Sequence, residues 1–142
     1  MNKPQNPVSH MLDAYQAAVF NKDADAFMRL YDDKVRVFDT WGVWSYEGVA
    51  AWRKMVETWF ASLGAEKVRV TMDDIQITVG QDLATASAIV TYAGISAEGE
   101  ELRAMQNRLT WVLRLEADAW KIVHEHTSAP VGFDDAKAML QR

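Results

Sequence analysis

The 142-residue chain has no cysteine, which excludes disulfides, thiolate nucleophiles and thiolate metal sites together. It has only three prolines. No apolar run approaches the ~20 residues that a membrane-spanning helix needs. Positive charge is short as well: 15 Lys and Arg stand against 20 Asp and Glu, a formal net charge of -5. That balance argues against nucleic acid, whose binder needs a basic face to neutralise phosphates, and against an anionic membrane surface. There is no glycine-rich phosphate cradle and no nucleophile elbow, so no cofactor is expected. The stretch from Met1 to Pro7 is polar and carries no apolar signal segment. With no cysteine to oxidise, a cytoplasmic protein is expected.

What is present is an ordinary globular balance, 49% hydrophobic and 25% charged, which suits one domain over residues 1–142. Six Trp, four Tyr and five Phe are enough to fill a core and line a cavity. There is no internal repeat and no linker.

The first half reads as helices. Asn6-Pro7 starts one, with Val8, Met11, Leu12, Tyr15 and Val19 on its apolar stripe. Asp23 caps a short second helix carrying Phe27, Leu30 and Tyr31, which ends at Asp32-Asp33. Val35 to Asp39 reads as a strand with Val35, Val37 and Asp39 on one face. Thr40 to Gly48 reads as a loop. A third helix begins near Val49, buries Trp52, Val56, Trp59, Phe60 and Leu63, and stops at Gly64.

The second half reads as strands, from about Glu66 to Val79, Leu83 to Ser96, Glu101 to Leu115 and Ala119 to Ser128. Short turns between them predict an antiparallel meander. Phe133 to Arg142 reads as a short helix capped by Asp134 or as a frayed end. Helices first and a long curved sheet after predict an α+β cone, open at one end, where a small-molecule ligand would sit.

Two segments carry a family resemblance. Tyr15 to Gly42, YQAAVFNKDADAFMRLYDDKVRVFDTWG, resembles the N-terminal signature of ketosteroid isomerases. Asn107 to Pro130, NRLTWVLRLEADAWKIVHEHTSAP, resembles the closing hairpin of SnoaL-like domains and of the association domain of calmodulin-dependent kinase II. The chain therefore looks like the SnoaL-like branch of the nuclear transport factor 2-like superfamily. That implies a cystatin-like α+β barrel with three helices packed on a strongly curved antiparallel sheet. The superfamily holds enzymes, binding modules and assembly domains, so fold alone does not choose among them.

The resemblance makes Asp39 a general base and Tyr15 a hydrogen-bond donor to a developing oxyanion. A carboxylate facing an apolar cavity gains proton affinity by desolvation, which suits a base. The alternatives are a turn-forming Asp39 and a core Tyr15. Arg108 stands where the isomerases keep a protonated Asp. It has three readings: an anion site, an ion pair with Asp39, or simple exposure. His124 and His126 are two apart on a strand and share one face. They would line the pocket or shuttle protons; a metal would need a third ligand such as Asp39 or His10, and none is expected. Trp41, Trp44, Trp59, Tyr92 and Trp120 are candidate cavity walls, with Trp41 and Trp44 as lid residues. If Arg108 faces the cavity, Leu109, Trp111, Leu113 and Leu115 face outward, and so apolar a row predicts a homodimer. Three functions stay open: a binder or enzyme for a small polar or anionic compound, an isomerase-like or hydratase-like enzyme for an apolar ketone, and an assembly module.

Overall fold

The computed structural model describes residues 6–142; residues 1–5, part of the stretch read as lacking a signal segment, lie outside it. Helix α1 spans Pro7–Phe20, and the Asn6 side chain accepts from the Val8 N–H at 2.8 Å. Helix α2, Ala24–Met28, is capped by Asp23, which accepts from the Ala26 N–H at 3.0 Å. Helix α3 is Val49–Ser62, and Gly64 follows it with φ +59, the left-handed stop expected from the sequence. Among the described residues no helix is long and apolar enough to cross a membrane.

Six strands form one sheet: β1 Tyr31–Phe38, β2 Tyr46–Glu47, β3 Lys67–Val79, β4 Leu83–Ile95, β5 Glu101–Glu116 and β6 Ala119–Ser128. Their order is β2-β1-β6-β5-β4-β3. The meander β3 to β6 is antiparallel, as its short turns require. The sheet as a whole is mixed rather than antiparallel, because β1 lies parallel to β6. Such pairing needs a crossover, and α3 with the meander supplies the intervening chain.

Three boundaries differ from the sequence reading. Strand β1 begins at Tyr31, so Tyr31 is a strand residue. The expected loop contains the short strand β2, which pairs with β1 at Arg36 and Val37. Residues 133–142 form no helix; they make a turn and an isolated bridge between Val131 and Ala138. The last residues then run along the free edge of β5. Gln106 N–H donates to Leu140 O at 2.7 Å, and Gln141 Nε2 donates to Ala104 O at 2.8 Å. An edge left open would otherwise invite pairing with another chain.

The helices cover one face of the curved sheet. Between them lies a core in which Phe27, Trp111, Leu113, Ile122, Val35 and Val37 are fully buried. The pairing shifts register at several places, two of which bear on the shape of the long strands. One sits on β3 between Asp73 and Gln76, where Asp74 has φ 55. The other inserts Val123 into β6, because Val112 pairs with His124 while Leu113 pairs with Ile122. A bulge bends its strand and re-aims every side chain beyond it.

Candidate functional site

The β6 bulge decides which residues reach the interior. Ile122 is buried, and strict alternation from it would send His124 and His126 inward. The extra residue reverses this. Glu125 and Thr127 point into the core, 1% and 3% exposed, and the histidines point out. His124 Nδ1 lies 2.8 Å from Arg36 O, and both imidazoles pack edge-on against Phe38, at 5.0 and 5.4 Å. Neither lines the interior cavity. They do share one face, as their spacing requires, but it is the outer one. Among the described residues no cluster of three metal-ligating side chains exists, and His10 is an exposed residue of α1.

The same correction applies to β5. Asn107, Leu109, Trp111 and Leu113 are its buried side. Arg108 is exposed and donates through Nε to the Ser128 hydroxyl at 3.1 Å. The physical reason is simple: an apolar row of this size goes to the core, and the charged row between goes to water. Arg108 therefore meets neither the cavity nor Asp39. The apolar row on which the homodimer was argued is interior, so that argument no longer holds.

Between the sheet and α1 and α3 lies a cavity of about 620 Å³. Its walls include Trp41, Trp52, Met55, Trp59, Leu63, Met105 and Leu140; its polar lining includes Tyr15, Asp39, Tyr92, Arg103, Asn107, Glu125 and Thr127. Trp59 and Tyr92 meet with ring centroids 6.2 Å apart. Trp41 lies at the rim, about half exposed, whereas Trp44 is 97% exposed and faces a groove outside the cavity. Trp120 packs against the core beside the β5–β6 turn and does not line the cavity.

Asp39 follows the last residue of β1 and is held at the cavity's edge. The Thr127 hydroxyl donates to Asp39 Oδ1 at 3.1 Å, and accepts in turn from the Thr40 N–H and hydroxyl, each at 2.9 Å. Burial raises the proton affinity of Asp39, and the Thr127 bond and the Trp41 and Thr40 amides oppose that rise. The balance keeps the carboxyl above its usual range. The Tyr15 and Tyr92 hydroxyls lie 2.9 Å apart. Burial pushes both phenols well above the usual tyrosine range, so they remain protonated donors.

Glu125 was not anticipated. Its Oε1 accepts from the Tyr31 hydroxyl at 2.6 Å and from Trp111 Nε1 at 2.8 Å. Burial pushes its carboxyl up to about 7, against the lowering effect of those two bonds. Asn107 also escaped notice. It is 6% exposed, its Nδ2 reaches Thr40 Oγ1 at 3.4 Å, and its Oδ1 has no partner among the described residues. The cation at the cavity wall, Arg103, makes two bonds to Glu66, at 3.0 and 3.1 Å. It lies so close over Gly94 that a Cβ there would come within 2.5 Å of its guanidinium.

Fold and site together define a small α+β domain with an apolar cavity, open at one side, and a few buried acids and phenols. Residues 8–132 match the model of the SnoaL-like domain, and the chain belongs to that family. Solved structures agree in fold. A nuclear transport factor 2-like protein of unknown function from Pseudomonas putida KT2440 is 20% identical, with a TM-score of 0.85 over 95% of this chain and 92% of that one. A nuclear transport factor 2-like protein with a cystatin-like fold from Novosphingobium aromaticivorans is 18% identical, with a TM-score of 0.74 over 92% and 84%. A candidate calcium/calmodulin-dependent protein kinase II association domain from Xanthomonas campestris is 17% identical, with a TM-score of 0.73 over 92% and 95%. A comparison with curated proteins finds no match.

Proposed function

We propose that the cavity binds a small, mostly apolar organic molecule that presents a carbonyl oxygen to the Tyr15–Tyr92 pair, and that Asp39 moves a proton on the carbon beside it. The observation that carries this reading is the placement of Asp39: a desolvated carboxyl, fixed by Thr127, at the wall of an apolar cavity that also holds two protonated phenols. A base poised by burial and a donor aimed at the developing oxyanion are the two parts that enolisation needs. The reading centred on a polar or anionic compound loses support. Arg108 lies outside the cavity, and Arg103 at its wall is already paired with Glu66.

Thermal-shift measurements separate these readings. A neutral bicyclic ketone at ~100 times its dissociation constant is expected to stabilise the wild type by about 2.7 kcal/mol, and Arg108→Ala equally. Small carboxylates are expected to shift neither protein. Stabilisation by carboxylates alone, lost in Arg103→Ala, would replace the ketone reading with an anion-binding one.

A further inference from the structure

Asp39 is not alone in the cavity. Glu125 reaches the same space from β6, and the two are held in opposite ways. Asp39 accepts from the Thr127 hydroxyl, and the amides of Thr40 and Trp41 favour its charged form. Glu125 has one oxygen fixed by two donors, and its Oε2 accepts no bond among the described residues. The titratable groups around Glu125 are Asp39 and Tyr31 on the β1 side, Tyr15 on α1 and Tyr92 on β4; no cation is among the groups acting on it. Two carboxyls in one apolar cavity, whose wall cation Arg103 is already paired with Glu66, cannot both ionise freely, and the better-solvated partner takes the charge. Asn107 borders the same cavity, with its Oδ1 buried within the wall.

We propose that Glu125 is the acid that complements Asp39, and that the site eliminates water from, or adds it to, an apolar hydroxy-carbonyl compound. This rests on the reading of Asp39 given above and narrows it to a substrate class. Asp39 takes the proton from the carbon beside the carbonyl. The electrons of that C–H bond form the new C=C bond, and the C–O bond of the neighbouring hydroxyl breaks. The Glu125 proton leaves with the hydroxyl as water. The Tyr15–Tyr92 pair holds the carbonyl oxygen. The cycle leaves Asp39 protonated and Glu125 ionised, and a proton returned through solvent at the mouth resets both.

The test uses a matched pair of probes, benzylacetone and its β-hydroxy derivative, with wild type, Asp39→Asn and Glu125→Gln. Exchange of the benzylacetone α-protons in deuterium oxide reads Asp39. Formation of benzylideneacetone, followed by its ultraviolet absorbance, reads elimination. Wild type is expected to do both and Asp39→Asn neither. In Glu125→Gln the ratio of elimination to exchange is expected to fall about 100-fold or more, the size of a lost general acid. Should that variant fold poorly, the wild-type pH profile serves instead: elimination declines as pH rises through about 7, where Glu125 gives up its proton, while exchange does not. A wild type that exchanges but does not eliminate, or a variant or pH profile in which both rates move together, overturns the role of Glu125 and leaves that of Asp39 standing. A wild type that does not exchange overturns the reading of Asp39, and this proposal with it.

Discussion

Trp111→Ala is expected to cost about 3–5 kcal/mol of stability, the range for truncating a large buried aromatic. Trp111 has no exposed surface, packs edge-on against Tyr15 with centroids 5.7 Å apart, and donates to Glu125 at 2.8 Å. Truncation removes all three contributions and leaves a cavity beneath the site. Its neighbour gives the contrast. Arg108→Ala, three residues earlier in sequence but on the wet face, is expected to change stability by no more than ~0.5 kcal/mol. Urea denaturation of the two variants checks the register of β5 directly. If Arg108→Ala were the damaging change and Trp111→Ala the mild one, the strand would be facing the other way.

The second large effect is a dependence of stability on pH that traces to one side chain. Glu125 holds its proton more tightly in the fold, up to about 7, than in the unfolded chain, where the ordinary value is 4.5. Between those values the native state carries a proton that the unfolded state has released, so stability falls as pH rises across that window and is level above it. The whole effect is about 3 kcal/mol. Glu125→Gln keeps an oxygen for Tyr31 and Trp111 and cannot ionise. Its stability relative to wild type is expected to rise by about that amount between pH ~4.5 and pH ~8. Denaturation curves for both proteins across that range supply the measurement, and taking the difference removes the surface carboxylates common to the two. A difference independent of pH would mean that Glu125 ionises without cost in the fold.

Most of the fold was legible because the helices announce themselves. Asn6-Pro7, Asp23 and Gly64 act where their chemistry says they should, and Val35 and Val37 are buried on the face they share with Asp39. The site was only half legible. Asp39, Tyr15, Tyr92, Trp59 and Trp41 line the cavity. Arg108, His124, His126, Trp44 and Trp120 do not, and two physical reasons account for the strand residues among them. On β5 the resemblance-based assumption that Arg108 faces inward overrode the plain apolar alternation of Leu109, Trp111 and Leu113. On β6 the alternation itself misleads. Regular pairing through the Ala117-Asp118 turn would set His124 opposite Trp111, and only the extra Val123 moves Glu125 there. Val123 carries no bulge signal of its own, since it is neither Gly nor Pro but a β-branched residue suited to any strand. A buried carboxylate flanked by two histidines was therefore the residue hardest to see.

The most direct measurement of the central claim is deuterium exchange at the α-carbon of a neutral ketone, followed by proton NMR, in wild type and Asp39→Asn. The account predicts exchange above the buffer rate in the wild type and a loss of about 100-fold or more in the variant, whose fold and ketone binding persist. Equal exchange in the two proteins would contradict it, because a carbonyl compound would then be losing its proton to a group other than Asp39.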